Sequence, residues 1–99
     1  MKDIQEHIVT TALEIVRGAR QSAYGTPEDN FSRIAKFWQA YFESTGRSDI
    51  KIIAADISPM MRLMKEARLC ASPDHLDSMV DIVGYTLTGA RMAFGENAK

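Results

Sequence analysis

The sequence predicts an all-α protein built from four helices, and three observations lead to this fold class. Apolar residues recur every three or four positions in four separate segments, which is the period of an amphipathic helix. Loop-forming residues separate these segments. Only one short run, Ile50–Ile53, has the composition of a strand, and a lone strand lacks a pairing partner. We therefore expect that run to be a loop.

The first helix is expected over about Asp3–Ala23 and the second over about Pro27–Ser44. Between them, Gly25 permits a positive φ, Thr26 suits an N-cap, and Pro27 suits the first helical position. Each helix carries an apolar stripe at the spacing of one helix face. The stripes consist of Ile4, Ile8, Ala12, Ile15, Val16 and Ala19 in the first helix, and Phe31, Ile34, Ala35, Trp38 and Phe42 in the second.

The third helix has two possible starts. Ser58 and Pro59 have the character of an N-cap and a first-turn residue, whereas a start near Ala54 would place a kink at Pro59. The fourth helix is expected to run from near Pro73 to about Phe94, where Gly95 is a suitable stop. The apolar stripe expected to form the inner face of the third helix consists of Ile57, Met60, Met64, Ala67 and Ala71.

Composition indicates one globular domain over residues 1–99, with a core of about 3–94 and a frayed tail at 95–99. Apolar residues make up 45% and charged residues 25% of the chain, which argues against disorder. The net charge of −1 gives no support to binding of extended nucleic acid. One cysteine, Cys70, excludes an internal disulfide, and the short apolar runs argue against a membrane span. We therefore expect a cytoplasmic protein.

Carboxylates cluster along the fourth helix. Asp77 and Asp81 share one face, and Asp74 lies close to it. A solvated acidic face is the simplest interpretation, but apolar residues outside the main stripe suggest that a neighbour covers part of this side. Gly84 costs about 1 kcal/mol relative to alanine in a helix, so it requires a reason. Close approach of another helix and space for a ligand are the two alternatives.

The third helix carries the basic residues Arg62, Lys65 and Arg68. Arg68 lies at the edge of the apolar stripe, from which its guanidinium can reach a carboxylate of the fourth helix. Two interpretations remain open. Arg68 pairs with Asp77 or Asp81, or Lys65 and Arg68 bind phosphate while the aspartates hold Mg²⁺, an ion that prefers oxygen ligands and bridges to phosphate.

Three segments, taken together, resemble a family of short phage and prophage domains: RQSAYGTPEDNFSRIAKFWQAYF, ISPMMRLMKEARL and PDHLDSMVDIVGY. This family in turn is similar to the MazG-like all-α nucleoside triphosphate pyrophosphohydrolases and to phage domains associated with nucleotide modification. The resemblance covers roughly Arg20 to Tyr85. It implies a four-helix MazG-like bundle that is completed by homo-oligomerisation, binds a nucleotide and acts in the host cytoplasm.

The resemblance also implies roles for particular side chains. MazG-like enzymes hold Mg²⁺ with two pairs of acidic residues on neighbouring helices, whereas the third helix here offers only Glu66. This difference favours direct phosphate contact over hydrolysis. Three hypotheses follow: a Mg²⁺-dependent nucleotide pyrophosphohydrolase, a non-catalytic nucleotide-binding oligomer, and a structural or interaction protein with a buried ion-pair network. The candidate residues are Lys65, Arg68 and Arg20 for phosphate, Tyr24, Asn30, Trp38 and Tyr85 for the base or ligand, and Asp77 and Asp81 for the metal.

Overall fold

The computed structural model of the protein describes residues 3–18 and 25–95. In these ranges the chain forms four α-helices and a short 3-10 helix, so the predicted all-α class is confirmed. No strand occurs in the described part of the chain. The helices are α1 at Ile4–Arg17, α2 at Pro27–Ser44, α3 at Ile57–Ala71 and α4 at Leu76–Phe94, and the 3-10 helix spans Ala54–Asp56.

The starts of α1 and α2 follow from their capping residues. Asp3 accepts a hydrogen bond of 2.8 Å from the backbone N–H of Glu6, and Thr26 accepts one of 3.1 Å from Asp29. Pro27 occupies the first turn of α2, and the bounds of α2 agree with the prediction. The predicted end of the first helix at Ala23 lies outside the described residues, which show helix only as far as Arg17.

The run that resembles a strand is a loop whose backbone binds two side chains, that of Gln39 and that of Asp56, which accepts a 2.9 Å hydrogen bond from the N–H of Ile53. Gln39 of α2 donates a 2.9 Å hydrogen bond to the carbonyl of Ile50 and accepts one of 2.6 Å from the N–H of Ile52. A side-chain amide thus takes the place of a neighbouring strand, because it offers both a donor and an acceptor. The expectation of a loop here is confirmed.

The start of α3 lies between the two predicted alternatives. The 3-10 helix leads directly into α3 at Ile57, so Pro59 falls in the first turn, where proline is tolerated. The assignment of Ser58 as the N-cap is wrong. Ser58 is buried inside the helix and donates a 2.7 Å hydrogen bond to the backbone carbonyl of Tyr85 in α4.

The fourth helix begins three residues later than predicted. His75 caps it, since its Nδ1 accepts a 3.2 Å hydrogen bond from the backbone N–H of Ser78. The sequence signal from Pro73 therefore marks the turn before the helix rather than its first residue. The predicted end is confirmed, as α4 stops at Phe94 and Gly95 follows with a φ of 86°.

The core forms around α4, which packs against α1, α2 and α3. Its centre consists of Phe31 and Ala35 from α2 and the fully buried Ile57 from α3. Seven partly buried residues pack against this centre: Ile34, Trp38, Ile52, Ala54, Met61, Tyr85 and Met92. Within the described ranges, no helix has the length and hydropathy that a membrane span requires.

The predicted inner face of α3 is wrong apart from its first residues. Ile57 is buried and Met60 is partly buried, but Met64 is 50% exposed, and Ala67 and Ala71 are also exposed. A neighbouring face of α3 packs against the core instead. The spacing of apolar residues identified an apolar face correctly, but it carried no information about which face the neighbouring helices cover.

Candidate ligand cleft and its ion pair

A cleft of about 130 Å³ lies between the end of α1, the start of α2 and the middle of α4. One wall comes from Ile15 and Val16 of α1, and the opposite wall from the first turns of α2. The side chains are mostly apolar, with a few polar groups. The remaining lining residues are Gly25, Thr26, Pro27, Asn30, Phe31, Val80, Asp81, Gly84, Tyr85 and Thr88.

The floor of the cleft is one face of α4. Its lining residues from Val80 to Thr88 recur at helical spacing, so they face the same side. Gly84 is buried there, and a Cβ on it would lie 3.6 Å from Cγ1 of Val16, an ordinary van der Waals distance. Close approach of a helix therefore does not require glycine at this position, and the placement of Gly84 in the cleft lining leaves space for a ligand as the explanation that stays a prediction.

An ion pair joins α3 to α4 at the cleft. Lys65 Nζ lies 3.1 Å from Oδ2 of Asp81, and the two side chains are only 17% and 28% exposed. The sequence predicted a pair between these helices but favoured Arg68 as the cation. Arg68 instead lies on the exposed side of α3, and its Nη2 is 3.4 Å from Nε2 of His75.

The structure brings three of the candidate residues to this cleft: Asn30, Asp81 and Tyr85. Trp38 does not join them, because it lies on the inner face of α2 and packs against the core. Asp77 is exposed on the first turn of α4 and does not line the cleft. The remaining two candidates, Arg20 and Tyr24, lie outside the described residues.

The donor set at the cleft does not form a magnesium cage made of protein ligands alone. Mg²⁺ takes oxygen ligands in near-octahedral geometry, usually keeping several waters and binding one or two carboxylates together with substrate phosphates. Among residues 3–18 and 25–95, no three His, Cys, Asp or Glu side chains come together in a group that could hold a metal ion. The carboxylate of Asp81 also faces a cation of the protein itself, the ammonium of Lys65.

A second ion pair, which the sequence did not reveal, links α2 to α4. Nε of Arg91 lies 3.8 Å from Oε1 of Glu28, and both residues are partly exposed. Glu28 stands next to Pro27 of the cleft wall, and Arg91 lies one turn beyond Thr88 of the floor. No local spacing connects residues this far apart in the chain, so only the packing of the helices shows the pair.

Family comparison identifies the domain to which the chain belongs. The description "domain of unknown function (DUF6378)" applies to the family that matches residues 7–93. The chain belongs to the DUF6378 family. The matched range contains every described residue that lines the cleft, so the cleft is formed within the DUF6378 domain.

Two similar proteins come from mycobacteriophages. The chain is 36% identical to the Gene 55 protein of Mycobacterium phage L5 over 92 residues, which cover 93% of this chain and 56% of that protein. It is 34% identical to the Gene 55 protein of Mycobacterium phage D29 over 82 residues, covering 83% and 50%. The chain thus spans about half the length of the curated relatives it matches. No solved structure matches it.

The expected relation to phage domains is therefore confirmed at the level of the DUF6378 family. The further likeness to MazG-like pyrophosphohydrolases remains a prediction from the sequence motifs.

Proposed function

We propose that this DUF6378 protein binds a nucleotide, with the base in the cleft and the phosphates toward α3. One observation carries the proposal. Asn30 and Asp81 come from helices far apart in the chain, yet they line one small apolar cleft together with Tyr85, and Lys65 adjoins it through Asp81. All four belong to the residues to which the sequence motif points.

The size and chemistry of the cleft suit a flat heterocycle. Its volume of about 130 Å³ is close to that of an apolar protein cavity of about 150 Å³ that accepts a benzene molecule. The side chains of Ile15 and Val16 provide apolar surface for a ring face. The amide of Asn30 both donates and accepts hydrogen bonds, and the carboxylate of Asp81 accepts them from ring or exocyclic N–H groups.

Cations on α3 supply the second half of the proposed site. Lys65 is within contact distance of Asp81, and its long flexible side chain can exchange this carboxylate for a phosphate oxygen. That exchange frees Asp81 to accept hydrogen bonds from the base. Arg68 lies three residues further along α3, on an exposed surface where its guanidinium can form a bidentate contact to a second phosphate.

Binding without turnover is the version of the proposal that the described residues favour. A MazG-like reaction needs Mg²⁺ held by several carboxylates, and Asp81 with its lysine partner does not provide such a set. The MazG-like resemblance therefore supports the proposed nucleotide-binding cleft but not the hydrolytic reaction. The relatives in mycobacteriophages support the host cytoplasm as the place where the protein meets nucleotides.

Isothermal titration calorimetry with a panel of nucleoside mono-, di- and triphosphates, in EDTA, tests the proposal. We expect at least one nucleotide to bind and to be recovered intact by chromatography. Lys65→Met should weaken that binding by about tenfold or more, because it removes a charged contact to phosphate worth roughly 1.5–3 kcal/mol. Asp81→Asn should weaken binding of bases that present N–H donors.

Matched controls separate local effects from changes in net charge. Lys51→Met and Asp49→Asn remove the same charges from exposed positions in the loop before α3, so both should leave the affinity unchanged. Absence of binding across the whole panel would contradict the proposed function. Release of pyrophosphate that requires Mg²⁺ and is lost in Asp81→Asn would instead favour the hydrolase hypothesis.

A further inference from the structure

The exposed side of α3 carries an apolar stripe with the spacing of a coiled-coil seam. Met60, Met64, Ala67 and Ala71 alternate at intervals of four, three and four residues, which is the a/d pattern of a heptad repeat. Met60 is partly buried and the other three are exposed, as are Leu63, by 68%, and Cys70, which flank the stripe. None of these six side chains is charged. A solvated helix face typically carries polar residues, so this face has the character of an interface.

We propose that a second copy of this chain covers the stripe, with the two α3 helices antiparallel. The order of side-chain sizes favours this direction, since both methionines precede both alanines. Antiparallel packing places Met64 against the partner's Ala67 and Met60 against the partner's Ala71, so large residues face small ones throughout. Parallel packing would oppose methionine to methionine at one end and alanine to alanine at the other, which leaves an uneven gap.

The accessible surface of the chain is consistent with an uncovered interface of this kind. It amounts to 6983 Å². A compact monomer of 11.1 kDa exposes about 5,700 Å² by the usual scaling of surface with mass. The excess is about 1,300 Å², whereas a standard protein interface buries about 800 Å² on each partner. Exposed apolar side chains also occur outside α3, such as Phe37 at 71% and Tyr41 at 58% on α2, so a dimer along α3 would cover only part of this surface.

Disulfide trapping tests the direction of the two helices. In a Cys70→Ser background, an equal mixture of Met60→Cys and Ala71→Cys proteins should form a disulfide-linked dimer under mild oxidation. Neither variant alone should do so, because identical positions would then lie eleven residues apart along the helix, or roughly 16 Å at about 1.5 Å per residue. Disulfides require Cα atoms within about 7 Å. Cross-linking by Met60→Cys alone, or none in the mixture, overturns the antiparallel arrangement.

Sedimentation or light scattering of the native chain tests the dimer itself. We expect twice the 11.1 kDa chain mass across a concentration series. Ala67→Glu should shift the protein to monomer with an unchanged helical circular dichroism spectrum, since this position is exposed and the charge falls in the seam. Phe37→Glu is the matched control, because Phe37 is a 71% exposed apolar residue on α2. A native monomer, or dissociation by Phe37→Glu alone, overturns the proposal, and neither result depends on nucleotide binding.

Discussion

The two sides of α4 differ in how closely their neighbouring helices approach. Toward α3, the hydroxyl of Ser58 bonds to a backbone carbonyl of α4, and a Cβ on Gly89 would lie 2.6 Å from the Oγ of Ser58. Toward α1, a Cβ on Gly84 would meet only an ordinary contact at 3.6 Å, and the cleft adjoins it. The α3 side is therefore packed tightly at Gly89, whereas the α1 side leaves a cleft beside Gly84.

Truncation of a large core residue should separate the two sides most strongly. Ile57→Ala removes a fully buried side chain of α3 and should lower the free energy of unfolding by about 2–5 kcal/mol. Ile15→Ala, on the partly exposed wall of the cleft, should cost clearly less because less surface returns to water. Urea unfolding followed by circular dichroism measures both. Equal losses would contradict the distinction between the two sides.

A methyl group added at Gly89 should destabilise the protein. The new Cβ would approach both Oγ and Cβ of Ser58, a short, buried and hydrogen-bonded side chain that has little freedom to move. Overpacking costs about 1–3 kcal/mol, and the gain in helix propensity over glycine offsets up to about 1 kcal/mol. We expect a net loss of about 1–2 kcal/mol for Gly89→Ala in the same unfolding experiment. In a Ser58→Ala background, Gly89→Ala should cost less stability than it does in the native chain, because part of the clash is removed.

The same substitution at Gly84 should have the opposite sign. The added methyl meets Cγ1 of Val16 at an ordinary distance, so alanine brings its helix propensity of up to about 1 kcal/mol without a clash. The methyl also projects at the floor of the cleft, so nucleotide affinity should fall while stability rises. Thermal unfolding and calorimetry on one sample of Gly84→Ala measure both quantities. A gain in stability with unchanged affinity would show that the ligand does not occupy this part of the cleft.

Local signals in the sequence predicted the helices better than their orientation. Thr26 and Pro27 form a local signal for the start of α2, because both lie next to it in the chain. The bounds of α2 agree with the prediction. The inner face of α3 was not predictable in the same way, because spacing shows that an apolar face exists but not which neighbour covers it. His75 was also missed as a cap, since histidine is not among the preferred N-cap residues.

In the candidate site, the sequence likewise predicted several of the residues but not how they pair. Asn30, Asp81 and Tyr85 were singled out from the motif, and all three line the cleft. The choice of Lys65 over Arg68 as the partner of Asp81 depends on the rotation of α3 about its axis. That rotation follows from the contacts of the whole helix, so no local pattern of charges determines it.

Neutralising Asp81 should have the smallest effect on stability and a clear effect on binding. The pair with Lys65 spans α3 and α4 but remains 17% and 28% exposed, so its net contribution should be close to that of partly solvated ion pairs, about 1 kcal/mol or less. A buried ion-pair network would instead cost about 3–5 kcal/mol when one partner is removed. Thermal unfolding of Asp81→Asn distinguishes these values, with the exposed Asp77→Asn on the same helix as its control. If Asp81→Asn alone lowered the free energy of unfolding by several kcal/mol, the pair would have a structural role. That result would argue against a role of Asp81 in ligand binding.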